Sequence, residues 1–154
     1  NDANWQAHYL TTAEEIWTQT KGKITHFVAG LGTTGTFVGT ARRLKELGNV
    51  QLISLQPDHP FHPLEGWKHL ATAHRPGIYD DTLADKTLVI DSSGVFDMIK
   101  SISIHERLFI SPSGAANLLG ALEVASQIKE GDIVTTLADT LDRYQEVRKE
   151  IFGT

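Results

Sequence analysis

A chain of 154 residues, 40% hydrophobic and 21% charged, has the size and balance of one globular domain, able to bury roughly 70% of the surface its unfolded form exposes. The formal net charge of −5, with basic residues scattered rather than clustered, gives no footprint for nucleic acid or an anionic membrane, so a small molecule is the expected partner. The absence of cysteine excludes disulfides, zinc-thiolate sites and a thiol nucleophile, and the apolar runs fall far short of the roughly 20 residues that span a bilayer, so a soluble, cytoplasmic protein is expected.

The chain opens Asn1-Asp2-Ala3-Asn4, without an initiator methionine or an apolar leader, and the expectation is that it starts inside a longer protein. Thr12-Ala13-Glu14-Glu15 reads as a capping box opening a short helix through Ile16 and Trp17, with Gly22 as its stop. Ile24 to Leu31 is β-rich and bounded by glycine, and Thr36 to Leu47 follows at helical spacing with Gly48 as a stop. Val50 to Leu55 reads as the next strand, followed by an irregular Pro- and His-rich stretch to about Pro76 and a strand over Thr87 to Ile90. Ser92 or Ser93 is the expected cap of a helix through His105, Leu108 to Ile110 a short strand, and Ser113 the cap of a long helix to about Glu130. Gly131 ends that helix, Ile133 to Leu137 forms the last strand, and Leu141 to Phe152 closes as a charged helix. Strands alternating with helices predict an α/β fold, a mostly parallel sheet covered by helices on both faces.

Within FVAGLGTTGTFVG, Gly30, Gly32 and Gly35 satisfy G-x-G-x-x-G between a strand and a helix, where free N–H groups and a partial positive charge receive an anion. A dinucleotide site also wants an acidic residue at the end of the next strand, where Gln56 stands. Thr33, Thr34 and Thr36 place three hydroxyls among the glycines, which suits the terminal phosphate of a phosphomonoester better than a pyrophosphate diester.

Gly32-Thr33-Thr34-Gly35-Thr36 resembles the phosphate-cradling loop of the pyridoxal-phosphate enzymes of the cysteine synthase and cystathionine β-synthase family. Asn4 to Thr12 (NWQAHYLTT), His62 to Gly66 (HPLEG), Ser113-Gly114-Ala115-Ala116 and Asp139 to Tyr144 (DTLDRY) resemble further motifs of that family, in the right order. The resemblance implies the large-domain portion of a fold type II enzyme over residues 1–154, with pyridoxal 5′-phosphate as cofactor and no metal.

By the same resemblance Gly32, Thr33, Thr34, Gly35 and Thr36 hold the cofactor phosphate, Thr140 faces the ring nitrogen with a hydroxyl, and Gly66 and Lys68 border the substrate. A hydroxyl, unlike a carboxylate, does not hold the ring nitrogen protonated, which steers chemistry toward β-elimination and replacement. Leu141 stands where the family usually has glycine, and Pro112 where many relatives have serine. The implied reaction is β-replacement on O-acetylserine or O-phosphoserine by a sulfur nucleophile to give cysteine, in a homodimer. The implied Schiff-base lysine is missing, since none of the lysines has the family's N-terminal context, so the N-terminal part is expected to be absent and the chain alone inactive. Cystathionine β-synthase, a serine/threonine dehydratase and a non-catalytic phosphate-binding module are the alternatives.

Asp58, His59, His62 and Glu65 have metal-ligand types at short spacing, but the interspersed prolines make an extended loop the expected reading. His8 and His105 read as structural, and Arg143 and Tyr144 as anchors of the last helix.

Overall fold

The computed structural model describes residues 2–153; Asn1 and Thr154 lie outside the described residues. The chain opens with a long helical run comprising α1 (Asp2–Ala7), a π-helical turn (His8–Thr12) and α2 (Ala13–Gln19). Then follow β1 (Ile24–Gly30), α3 (Gly35–Leu47), β2 (Gln51–Pro57), β3 (Lys86–Ile90), α4 (Val95–His105), α5 (Pro112–Gln127), β4 (Asp132–Thr135) and α6 (Gln145–Phe152). The four strands form one parallel sheet in the order β3-β2-β1-β4.

The two-residue period of a strand sends alternate side chains to opposite faces, and both faces here are apolar. Phe27 and Ala29 of β1 and Leu52 of β2 join Phe37, Val38, Ala41 and Leu44 of α3 on one side. Val28, Ile53, Leu55, Leu88 and Ile90 meet α4 and α5 on the other, through Val95, Ile99, Ala115, Ala116 and Val124. A register shift between Ile24 and His26 lets Ile24 share the face of Phe27. Gly120 brings α5 close to the sheet, because a Cβ there would run into the Leu55 side chain.

The order of the strands fixes where a ligand goes. The chain leaves β1 through α3 toward β2 on one side, and β4 is added on the other, so the connections diverge beyond the carboxyl end of β1. In open parallel sheets that divergence opens the crevice where ligands bind.

Several local expectations give way to competing contacts. Thr12 is not an N-cap: its backbone is already helical, and its hydroxyl faces His8 rather than a free N–H. Asp91, not Ser92 or Ser93, caps the turn before α4 by accepting the Ser93 N–H at 2.9 Å, while the Ser92 hydroxyl donates to Asp58 at 2.7 Å. Ser111, not Ser113, caps α5, with Pro112 in the first turn where its missing N–H costs nothing, and the helix ends at Gln127 rather than Glu130. Leu108 to Ile110 forms no strand; only Ile110 makes an isolated antiparallel bridge, to Thr140, and Phe109 stays 54% exposed. Leu141 to Phe152 is divided, a 3-10 turn over Leu141–Arg143 preceding α6.

Candidate functional site

A cleft of about 640 Å³ lies beyond the carboxyl ends of β1 and β4. Its first wall is the turn from β1 into α3. Val38 N–H makes the first helical bond, to the Thr34 carbonyl at 2.8 Å, so the N–H groups before it are the free donors of this helix end. Thr34 has a left-handed backbone with φ of 69°, which costs a non-glycine residue roughly 1–3 kcal/mol. Its hydroxyl is buried and has no hydrogen-bond partner among the described residues. A strained residue carrying an unpartnered buried hydroxyl at a helix N-terminus fits an anion that would accept from it.

The glycines of the turn are sites of close approach. A Cβ on Gly32 would collide with the Gly66 carbonyl oxygen, and one on Gly35 with the Asn4 side-chain amide. Gly66 itself has φ of +85°, and the turn carrying it is held to the Gly32–Thr36 loop by Lys68 N–H donating to the Leu31 carbonyl at 2.8 Å. The Trp67 indole lies against the backbone of Gly30, where a Cβ would occupy the ring. Asn4 Nδ2 donates to Thr33 Oγ1 at 3.0 Å.

Asn117 joins this wall to the opposite one. Its Oδ1 accepts the Gly30 N–H at 2.8 Å and its Nδ2 donates to the Thr136 carbonyl at 2.8 Å. The far wall holds Ser113 at the start of α5, with Ala138, Asp139 and Tyr144. Tyr144 OH donates to Asp139 Oδ2 at 2.7 Å, and burial together with that carboxylate pushes the phenol up to about 12, so it stays a donor at neutral pH. Asp139 Oδ1 is buried without a partner among the described residues. His8 and Thr12 close the third side, the His8 ring lying between Thr12 Oγ1 at 2.9 Å and Thr36 Oγ1 at 3.2 Å. Burial holds the His8 pKa below its ordinary value.

Of the residues singled out from sequence, Gly32, Thr33, Thr34, Thr36 and Gly66 come together in the lining, with Gly35 directly behind as the first residue of α3. Thr140 does not: it is exposed, its hydroxyl is 3.5 Å from Asp142 Oδ2, and the cleft is lined by Asp139 before it and Tyr144 after it. Lys68 borders a neighbouring depression with Asp2, Asn4 and Thr33. Asp58 is occupied by the hydroxyl and N–H of Ser92, and among the described residues no three His, Asp or Glu side chains gather as metal ligands. Sequence reasoning passed over Asn117 and left Trp67 unremarked. The signal for Asn117 was an amide inside the apolar run AANLLGALEVA, a residue type that is buried only when it has partners.

A parallel sheet with a helix start at its divergence point and hydroxyl-rich cleft walls is an α/β scaffold whose cleft suits a phosphate-bearing ligand. The chain belongs to the pyridoxal-phosphate dependent enzyme family, whose description matches residues 1–139. It is 41% identical over 149 residues to a cysteine synthase of Aquifex aeolicus, the match covering 94% of this chain and 46% of that protein, and 36% identical over 145 residues to cysteine synthase B of Escherichia coli. Among solved structures it resembles an O-ureido-L-serine synthase, with a TM-score of 0.85, 30% identity and coverage of 94% of this chain and 48% of that one. An O-acetylserine dependent cystathionine β-synthase from Helicobacter pylori gives 0.86, 30%, 95% and 50%. The chain thus spans about half the length of the relatives it matches. The family depends on pyridoxal phosphate, and the residues at the Gly32–Thr36 turn fit its phosphate.

Proposed function

We propose that this chain is the cofactor-phosphate-binding portion of a pyridoxal-phosphate dependent cysteine synthase, which replaces the β-substituent of an activated serine with a sulfur nucleophile. The observation that carries the reading is the unpartnered buried hydroxyl of Thr34 at the start of α3, in a turn whose glycines leave no room for a Cβ. The named cysteine synthases at 41% and 36% identity supply the reaction class.

When bound, the cofactor supplies an electron sink for the α-carbon of the amino acid. The chain's own residues hold and orient it. Thr33, Thr34 and Thr36 offer hydroxyls, and the α3 N-terminus its free N–H groups, to the phosphate. Asn117 fixes the floor by tying Gly30 to Thr136. Thr140, adjacent in sequence to the cleft-lining Asp139, offers a hydroxyl for the ring nitrogen, and Ser113 in the cleft lining offers a second. Gly66 borders the substrate side, and Lys68 stands just outside it as a charge for an incoming anion. Covalent anchoring and α-proton removal need a lysine, and no lysine lines this cleft among the described residues. We place that lysine in the half of the relatives' length that this chain does not span.

The test is to purify the complete natural polypeptide and record its visible absorbance with pyridoxal phosphate. O-acetylserine or O-phosphoserine is then added, with sulfide or homocysteine as nucleophile. Cysteine formation supports the reading; cystathionine formation would reassign the nucleophile; a protein that binds no cofactor would remove the enzyme reading altogether.

A further inference from the structure

Among the described residues, the hydrogen-bond partners of the His8 ring are two hydroxyls. Its Nδ1 lies 2.9 Å from Thr12 Oγ1 one turn along the same helical run, and its Nε2 lies 3.2 Å from Thr36 Oγ1 at the start of α3. The π-helical turn His8–Thr12 sets His8 and Thr12 on one side of the helical run, and such turns are frequent at functional sites. Gly39 lets α3 approach that run closely, since a Cβ there would meet the Trp5 carbonyl and His8 Cβ. That approach brings Thr36 to the ring.

The hydrogens of this trio can be assigned from the chemistry. For the Thr36 hydroxyl to donate to an anion in the turn, its oxygen must accept from His8 Nε2–H. A neutral ring then has its lone pair on Nδ1, and Thr12 donates to it. A protonated ring keeps Nε2–H on Thr36 and asks Thr12 only to rotate its hydroxyl and accept. The bond from Thr36 to the anion therefore survives in both protonation states, and the charged state adds attraction.

Charge balance supplies the reason for a proton to arrive. No lysine or arginine lines the cleft among the described residues, while Glu65 and Asp139 do. Of the charged groups on the helices packed against the His8 turn, Glu15 is exposed on α2 and most others are engaged away from the ring. Arg43 is bound to Glu14 and Glu46, Tyr9 donates to Glu46, Arg42 lies over Trp5, and Asp2 accepts from the Trp5 indole. Lys45 borders a separate depression with Arg42 and Glu46. His8 is the ionisable group in the lining able to become a cation near pH 7.

We propose that His8 is a proton-linked positioning residue for the anion site: when a phosphate or sulfate dianion binds at the Gly32–Thr36 turn, the imidazole, acting through Thr36, takes up a proton. This rests on the phosphate reading of that turn. In the free protein burial disfavours the charged ring, and an adjacent dianion favours it, so affinity rises as pH falls through the pKa of the bound state and levels off below that of the free state.

The probe is sulfate, whose charge does not change between pH 5 and 8, the range in which histidine titrates. Sulfate affinity of the cofactor-free complete polypeptide is measured across that range for wild type, His8→Gln and His8→Asn. Wild-type affinity is expected to rise several-fold toward acid, by at most about tenfold per pH unit for one proton, and both variants are expected to bind more weakly and without that slope. Sulfate binding with a flat profile, or with the same slope in the variants, overturns the proposal and leaves the phosphate reading standing. Failure of sulfate and inorganic phosphate to bind at any pH removes the phosphate reading and the proposal together. Should both variants fail to fold, the wild-type His8 ring resonance decides by NMR: its titration midpoint must move upward on adding sulfate, and an unmoved midpoint overturns the proposal.

Discussion

Asn117 Oδ1 accepts the N–H of Gly30, the last residue of β1, across 87 positions of sequence. The same side chain donates to Thr136, so one amide of α5 holds the ends of two walls at a fixed separation. Asn117→Ala would leave a buried N–H and a carbonyl without partners, a loss of about 1–3 kcal/mol. Urea unfolding should show that loss, and cofactor affinity should fall with it. Asn117→Asp keeps the acceptor for Gly30 but not the donor for Thr136 and should fall between.

Thr34 invites a test in which stability and binding move in opposite directions. Thr34→Gly relieves the φ of 69° and removes a buried hydroxyl with no partner, so the cofactor-free protein should gain about 1 kcal/mol. The anion loses a donor, so phosphate or pyridoxal phosphate affinity should drop about tenfold. A variant that is both less stable and unchanged in binding would contradict the role given to this residue.

Close packing between α5 and β2 depends on Gly120. Gly120→Ala brings a Cβ to within 2.6 Å of Leu55 Cδ2, and Leu55 is fully buried with no open side to turn toward. Overpacking of this kind costs about 1–3 kcal/mol, more than the gain in helix propensity. Adding Leu55→Val should restore part of the loss, and a double-mutant cycle measured by denaturant unfolding would show the coupling.

Acid should weaken the cofactor-free fold in two stages. Burial lowers the pKa of His8, and burial together with the nearby His59 lowers that of His62. The unfolded state binds more protons than the native state just below the ordinary histidine value, so stability is full above about pH 6.5 and declines as pH falls toward the folded values. Asp91 and Asp80 are held below the usual carboxylate range by Ser93 and Thr82. Their contribution is present above about pH 4 and is lost below it. Thermal melts from pH 8 to pH 3 should show both declines, and His8→Gln should reduce the first.

The alternation of strand and helix was legible because both faces of a parallel sheet are apolar and the glycines punctuate the connections. Failures came where two polar residues compete for one backbone donor. Ser92 and Asp91 are adjacent, and Asp58, 34 positions away, draws off the serine hydroxyl and leaves the cap to the aspartate. Thr12 looked like a cap because Glu15 follows three residues later, yet the helix had already begun near Asp2, so no free N–H remained for it. The glycine- and threonine-rich turn between β1 and α3 was legible from its own residues. His8 and Asn117 were not, because each becomes part of the site only when a distant element, α3 for one and β1 for the other, is folded against it.

The contact between Trp67 and the backbone of Gly30 gives the protein an intrinsic optical gauge. Trp5 lies edge-on to Tyr9 and beneath Arg42, and Trp17 lies against Gly22 and Gly48, so both sit away from the cleft lining. Trp67 alone among the three tryptophans lines the cleft, and its emission will respond when a light-absorbing ligand enters. A Trp67→Phe substitution removes the emitter in direct contact with the cleft, and the difference from wild type isolates its share of the signal, so occupancy can be followed in real time without any label.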